Sequence, residues 1–363
     1  MLTDLEIKDI LLERDFVKIN GNTLKTISII LDKSYESSED LYNDRKAIYS
    51  NLDAYEVLKS KIFAGKTSVK FWGIVGYDSK EGKETIKNTI ESWDFYNKIK
   101  MDELQDKVNN KTLEIPTAYT CIKTHEDIYL LRFIVPCGNK RDDNGINNKK
   151  IRQYKNVVCF INLKYGYIEV RTEATFADRV IDALKYRLNL SSIRNIPILL
   201  NFENNIENFK DSFENAKFIN MKSIPEFDFD ISEEDSEMLV NVLLILEDFI
   251  INDKDETILE ELKSISFEDN NGFIPLLLAG LCGIGFSTRK TDCRDITNQP
   301  MYKIIEPYLN HQIGKLHVTE AATGYTYSIK ISIKRNNVSF ESELTDENFI
   351  NTVRKKLLDI KEE

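Results

Sequence analysis

The chain has 363 residues, of which 42% are hydrophobic and 30% are charged, and it carries a formal net charge of −11. This composition is too apolar for a disordered chain, and the length suits two or three domains of about 100–200 residues each. The acidic start is unlike a signal peptide, and no apolar run reaches the about 20 residues of a membrane helix, so we expect a cytoplasmic protein.

The N-terminal region, residues 1–115, is predicted to be mixed and mainly helical. Ser37 is a suitable helix cap because acidic residues follow it in the first turn. Asn20, Gly21 and Asn22 read as a turn between two extended segments. The patterns predict helices over residues 3–14, 37–63 and 82–108 and extended segments over 17–31 and 68–75.

The central region, residues 116–202, is predicted to consist of hairpins and one helix. Its apolar runs predict strands over residues 117–124, 128–135, 157–163 and 167–172, followed by a helix over 174–188 and a short strand over 197–200. Residues 138–154 are polar and rich in Asn, Asp and Gly, and we expect them to form a long mobile loop.

The charge of the chain is distributed as a mosaic. Residues 138–202 carry 12 basic and 6 acidic side chains, whereas residues 203–270 carry 5 basic and 20 acidic ones. A basic region binds phosphate even in an acidic protein, because charges act locally within a Debye length of about 8 Å. The alternative is that both regions are solvated surfaces.

The basic central region is therefore the predicted binding surface for nucleic acid or a partner protein. Tyr154, Tyr165 and Tyr167 offer rings for base stacking. The predicted binding residues are Lys140, Arg141, Lys149, Lys150, Arg152, Lys155 and Arg171.

Glu169 is the candidate catalytic residue. Alternation along the strand places Glu169 and Arg171 on one face. Metal-dependent nucleases of the restriction-enzyme type use a strand with an acid and then a cation, and this alternative would require Mg²⁺. Arg replaces the expected Lys, and no acid stands on a preceding strand, so the competing interpretation is an ion pair. No other cofactor and no metal site are predicted.

Residues 203–270 form a predicted acidic helical region, with the clearest helix over 231–251.

A glycine-rich segment follows the acidic region. Gly283 and Gly285, followed by Arg289 and Lys290, resemble a glycine-rich anion loop, although their spacing matches no phosphate-binding fingerprint. A buried helix that ends at Gly explains the same residues.

The C-terminal region, residues 271–363, is predicted to contain a β-β-β-α unit. Apolar and polar residues alternate strictly over 325–334, which is typical of a half-buried antiparallel strand. Residues 313–321 and 338–344 flank this strand, and a helix that starts at Thr345 can cover the apolar face through Phe349.

The fold class is therefore α+β, with antiparallel hairpin units in the middle and at the C-terminus and helical segments between them. We expect a non-catalytic binding or regulatory component of a multi-protein assembly, from a bacterium or phage whose genome is rich in A and T. The alternatives are the phosphodiesterase that uses Glu169 and a self-assembling homo-oligomer in which acidic and basic regions of two subunits meet. A membrane partner is not expected.

Overall fold

The computed structural model describes residues 4–77, 79–143, 148–188, 193–225, 237, 240–245, 283–288, 294–320 and 323–360. The chain divides into two compact units, one formed by Met1–Ala216 with His317–Glu363 and the other by Lys217–Leu316. We call them unit 1 and unit 2. Among the residues just named, no helix has the length and apolar composition needed to cross a bilayer.

Unit 1 contains most of the described elements. Its helices are α1 (Glu13–Phe16), α2 (Gly21–Leu31), α3 (Ser38–Asn43), α4 (Arg45–Ser50), α5 (Leu52–Ile62), α6 (Lys80–Glu91), α7 (Asp102–Asn109), α8 (Ala174–Leu188), α9 (Ile206–Asp211) and α11 (Glu347–Leu358). Its strands are β1 (Thr67–Ile74), β2 (Thr117–His125), β3 (Ile128–Asp143), β4 (Asn148–Asn162), β5 (Tyr167–Arg171), β6 (Ile193–Asn195), β10 (Thr326–Ser332) and β11 (Asn337–Phe340).

The strands of unit 1 form an antiparallel sheet in the order β2-β3-β4-β5-β1-β11-β10, with β6 paired on β1. Strand β1, from the predicted N-terminal region, therefore pairs with strands of both the central and the C-terminal regions. The α+β class and the hairpin units predicted from the sequence are confirmed.

The sheet of unit 1 is covered on both faces. On β4, Val158 packs with the buried residues of the N-terminal helices, whereas its neighbour Cys159 packs with α6 and α8 on the other face. Leu130 and Leu131 of β3 divide between the two faces in the same way. Successive strand side chains point to opposite faces, so a strand covered on both sides reads as a continuous apolar run.

Within the predicted mobile loop over residues 138–154, the described residues 139–143 and 148–154 instead continue the hairpin. Residues 139–143 of β3 pair with residues 148–152 of β4, with Asn139 opposite Arg152 and Asp143 opposite Asn148. The prediction was wrong because it assumed that a segment without buried side chains cannot be ordered. Two antiparallel strands satisfy each other's backbone groups even when their side chains remain in water.

The N-terminal segment also differs from its prediction. Residues 21–31 form α2, and the side chain of Asn20 accepts a hydrogen bond from the Thr23 backbone N–H as the helix cap. The predicted turn residues are therefore a helix start, and packing of Ile27 in the core outweighs the strand preference of the β-branched residues. Residues 3–14 contain a 3-10 turn at Ile7–Ile10 and the start of α1 rather than one helix.

The C-terminal β-β-β-α unit is confirmed. Strand β9 (Leu309–Thr319) begins in unit 2, and its end lies beside β10 in unit 1. Helix α11 begins after Asp346, whose side chain accepts a hydrogen bond from the Phe349 backbone N–H. Phe349 stacks on Tyr327 of β10 with ring centroids 3.8 Å apart, so the helix covers the apolar sheet face as predicted.

Unit 2 is described in part. Its described elements include β7 (Ala216–Pro225), β8 (Ile284–Ser287), α10 (Pro300–Ile305) and the start of β9. Strand β8 pairs antiparallel with β7, and Met221 lies opposite Phe286. The acidic helix predicted over residues 231–251 falls largely outside the described residues.

Candidate functional site

The extended hairpin of β3 and β4 carries most of the predicted binding residues. Strand β2 pairs with β3 as far as Ile134, and β5 pairs with β4 from Val158 onward. Beyond these points, β3 and β4 pair only with each other among the described strands. We refer to residues 139–143 and 148–152 as the ribbon, a two-stranded structure that extends past its neighbours in the sheet.

Cations occupy both faces of the ribbon. Arg141 lies opposite Lys150, and both residues are exposed. Asn139 and Arg152 form the next pair on the same face, because residues two apart on a strand share a face. Lys140 lies opposite Ile151 on the other face, and both of these are exposed as well.

The charge of the ribbon is strongly positive. It contains five cations, Lys140, Arg141, Lys149, Lys150 and Arg152, and two acids, Asp142 and Asp143. Lys149 has Asp142 as its register partner across the ribbon. The ribbon also contains no aromatic residue.

Three of the predicted cations, Arg152 of the ribbon, Lys155 and Arg171, contact other groups of unit 1. The Arg152 guanidinium donates to the Lys111 carbonyl at 2.8 Å. Lys155 donates to both carboxylate oxygens of Glu173 at 2.6 and 2.7 Å. Arg171 is buried, with a side chain only 2% exposed, which keeps its guanidinium away from solvent phosphate.

The three tyrosines predicted to stack on bases do not together form an exposed surface. Tyr167 is buried, and its hydroxyl accepts a hydrogen bond from the Asn162 amide. Tyr154 packs against the small core cluster around Tyr119. Tyr165 is half-buried, with the Lys164 ammonium 5.1 Å from its ring centroid.

Glu169 and Arg171 are buried and belong to a network of four charges, whose other two members, Glu347 and Arg354, are half-buried. The prediction that they share one face of β5 is confirmed, since Arg171 Nε donates to Glu169 Oε1 at 2.7 Å. Arg354 of α11 donates from Nε to Glu169 Oε2 at 2.6 Å. Glu347, at the start of α11, accepts from the Nη1 and Nη2 atoms of Arg171, both at 2.7 Å.

The network keeps both carboxylates ionised. Burial raises the pKa of Glu347, but the charges and hydrogen bonds of Arg171 and Arg354 outweigh it and lower that pKa to about 2. Burial also opposes ionisation of Glu169, whereas Arg354 and Arg171 hold its pKa below the usual value. Each buried charge has a partner of opposite sign, as low-dielectric surroundings require.

This geometry bears on the nuclease alternative. Both carboxylate oxygens of Glu169 accept hydrogen bonds from guanidinium groups, and its side chain is 1% exposed. The neighbouring acid, Glu347, is bonded to the same two guanidiniums. A Mg²⁺ ion at Glu169 would have to displace these guanidinium groups. The surroundings of Glu169 therefore suit an ion-pair network better than a metal site.

A cavity of about 400 Å³ lies above the network, within unit 1. One part of its wall is apolar or aromatic and another carries the polar groups of the network. It is lined by Ile7, Lys59, Phe63, Thr124, His125, Ile128, Phe160, Asn162, Tyr167, Glu169, Glu347 and Arg354. The cavity and the ribbon lie toward opposite ends of the β3–β4 hairpin, since Ile128 begins β3 and Asp143 ends it.

Part of the glycine-rich segment, residues 284–287, forms strand β8. Gly285 lies within β8, opposite Lys222 of β7, where Ile284 and Phe286 are half-buried and alternate with exposed residues. This period of two is typical of a strand. A buried helix that ends at Gly283 stays a prediction, because the residues that would form it lie outside the described part of the chain. Gly283 directly precedes β8, and Arg289 and Lys290 lie outside the described residues.

Sequence reasoning missed Glu347 and Arg354 as members of the site. The signal was present, because Arg354 lies four residues after the buried Ile350 and seven after Glu347 on one face of α11. A cation on the apolar face of an amphipathic helix indicates a buried partner, but only the fold shows that this partner is Glu169.

The comparisons with known proteins leave the site to be interpreted from its own geometry. No protein-family model matches the chain, and no curated protein matches its sequence.

Proposed function

We propose that this protein is a non-catalytic binding component of a larger assembly and that it binds double-stranded nucleic acid through the ribbon. The observation that carries this proposal is the cross-strand pair of Arg141 and Lys150. Like charges directly opposite each other destabilise an antiparallel pair, so an anion beside them relieves a repulsion that the free protein retains.

The shape of the ribbon favours a duplex. A two-stranded β-ribbon fits the major groove of B-DNA, which is about 12 Å wide, and its side chains then reach phosphates on both walls. Recognition of single strands relies on aromatic rings that stack on bases, and the ribbon has none. Duplex binding through backbone phosphates is therefore the better match.

The salt dependence of binding tests the proposal. For B-DNA, the logarithm of the binding constant falls with the logarithm of salt concentration with a slope of about −0.9 for each phosphate contact. We expect the Arg141→Gln/Lys150→Gln variant to bind a duplex more weakly and to reduce the magnitude of this slope by about 1.8. Fluorescence anisotropy with a labelled duplex across a salt series measures both quantities.

The matched control is Lys25→Gln/Lys46→Gln, which removes two exposed lysines from α2 and α4. This variant has the same net charge as the ribbon variant, so a purely global charge effect would weaken both equally. Equal affinities and slopes in the two variants would contradict the proposal. Parallel reactions with Mg²⁺ test the nuclease alternative. Cleavage that is retained in the ribbon variant but lost in Glu169→Gln would favour it, provided that unfolding curves show the Glu169→Gln protein to be folded under the assay conditions.

A further inference from the structure

The cavity above the buried network has the properties of a small-molecule site. Its volume of about 400 Å³ lies in the range of about 300–1,000 Å³ that is typical of ligand pockets. Such pockets combine apolar walls with a few polar groups that orient the ligand. Here the polar groups include those of Glu169, Glu347 and Arg354, whose positions are held by mutual hydrogen bonds.

The rings in the wall indicate a flat ligand. The cavity is lined by Phe63, His125, Phe160 and Tyr167, together with the aliphatic side chains of Ile7 and Ile128. The ring of Phe160 is held in place because the Arg171 guanidinium lies 4.5 Å from its centroid. Aromatic walls favour planar rings, because such rings stack on aromatic side chains.

The charge balance of the network indicates a neutral ligand. Glu169 and Glu347 are matched by Arg171 and Arg354, so the four groups carry no net charge. Two cations line the cavity, Lys59 and Arg354, beside the two carboxylates. An anionic ligand would meet the carboxylates, and a cationic one would meet these two cations. A neutral molecule with hydrogen-bonding groups at its edge avoids both conflicts.

Two atoms of the network retain hydrogen-bonding capacity. Glu347 Oε2 accepts one hydrogen bond within the described chain, from Arg171 Nη1, and a carboxylate oxygen has a second acceptor site. Arg354 Nη1 donates one of its two hydrogens to Asn351 Oδ1. The Glu347 side chain is 38% exposed, which leaves its carboxylate accessible from the cavity. The open end of the network therefore offers an acceptor and a donor.

We infer that the cavity binds a neutral, planar nitrogen heterocycle of nucleobase or nucleoside size, with a ring N–H directed at Glu347. The aromatic walls hold the ring plane, and the carboxylate selects the N–H edge. This inference is independent of duplex binding, since the ribbon contributes no residue to the cavity.

Isothermal titration of the full chain with guanosine and uridine tests the inference, each beside the derivative methylated on its ring N–H. We expect at least one of the two parent nucleosides to bind, and its methylated form to bind at least 10-fold more weakly. Methylation removes the donor and adds bulk at the Glu347 end. Equal affinity for parent and methylated forms, or no binding of either parent nucleoside at millimolar concentration, would overturn the inference.

A cavity-filling variant locates the site without disturbing the network. Ile128→Trp replaces an aliphatic side chain of the wall with a bulky indole ring, and we expect it to reduce nucleoside affinity at least 10-fold. Glu126→Trp is the matched control, because Glu126 lies exposed in the same β2–β3 turn and outside the cavity wall. Unfolding curves establish that both variants fold. Unchanged affinity in folded Ile128→Trp would place any binding elsewhere, and the Arg141→Gln/Lys150→Gln variant should bind nucleosides normally.

Discussion

Arg141 of β3 lies directly opposite Lys150 of β4, in a segment where these strands have no other described neighbour in the sheet. Both residues are exposed, so water screens part of their repulsion. The two residues nevertheless form a like-charge cross-strand pair, at a position where an opposite charge would be attracted to both. Its cost to the free protein and its value to a phosphate ligand have the same physical origin.

Reversing one charge of this pair should separate stability from binding. We expect Lys150→Glu to raise the free energy of unfolding by roughly 0.2–1 kcal/mol, because a repulsive cross-strand pair becomes attractive. The same variant should bind duplex DNA more weakly than Lys150→Gln, which only removes the charge. Urea unfolding and anisotropy titrations measure the two effects. A variant that loses both stability and affinity would contradict the claim that Arg141 and Lys150 repel each other in the free protein.

Removing one member of the buried network should be costly. We expect Glu169→Gln to lower the free energy of unfolding by about 3–5 kcal/mol, because the guanidiniums of Arg171 and Arg354 lose a buried counter-charge. The control is Glu173→Gln, which removes a partner of Lys155 that is 63% exposed and should change stability by about 0–1 kcal/mol. Similar losses in the two variants, measured by urea unfolding, would show that the network is not stabilised by mutual pairing.

Glu347 should make the stability of unit 1 depend on pH. The pKa of Glu347 falls from its usual value of 4.5 to about 2 in the folded protein, so the unfolded chain takes up its proton first. Its contribution is therefore fully present above about pH 4.5 and is lost as the pH falls toward 2. Urea unfolding at pH 6, 4 and 3 should show wild type losing more stability than Glu347→Gln, and parallel curves would contradict this assignment.

The contact between Phe349 and Tyr327 should anchor α11 to the sheet. We expect Phe349→Ala to lower the free energy of unfolding by about 3–5 kcal/mol, because it removes a buried ring that stacks on β10. Thr352→Ala changes an exposed position on the same helix and should alter stability by no more than about 0.5 kcal/mol. Because α11 also carries Glu347 and Arg354, Phe349→Ala should weaken nucleoside binding in parallel, which titration of the folded variant measures.

The sequence by itself determined the elements whose signals are local. Alternation over residues 325–334 predicted β10, and the apolar runs around Cys121, Leu131 and Cys159 predicted the central strands. Ser37 predicted the start of α3, because capping depends on side chains only a few positions apart. The concentration of positive charge in residues 138–155 was equally visible, since it requires only counting.

Only the tertiary structure decided which charges meet. Glu169 and Arg354 are 185 positions apart in the chain, and no local pattern relates them, yet α11 places their side chains 2.6 Å apart. The ribbon is a similar case. Its two segments are polar and have no apolar pattern that would predict strands, and they are ordered because they pair with each other. Long-range contacts have no period along the chain, so the fold alone separates the exposed cations of the ribbon from the buried cation Arg171.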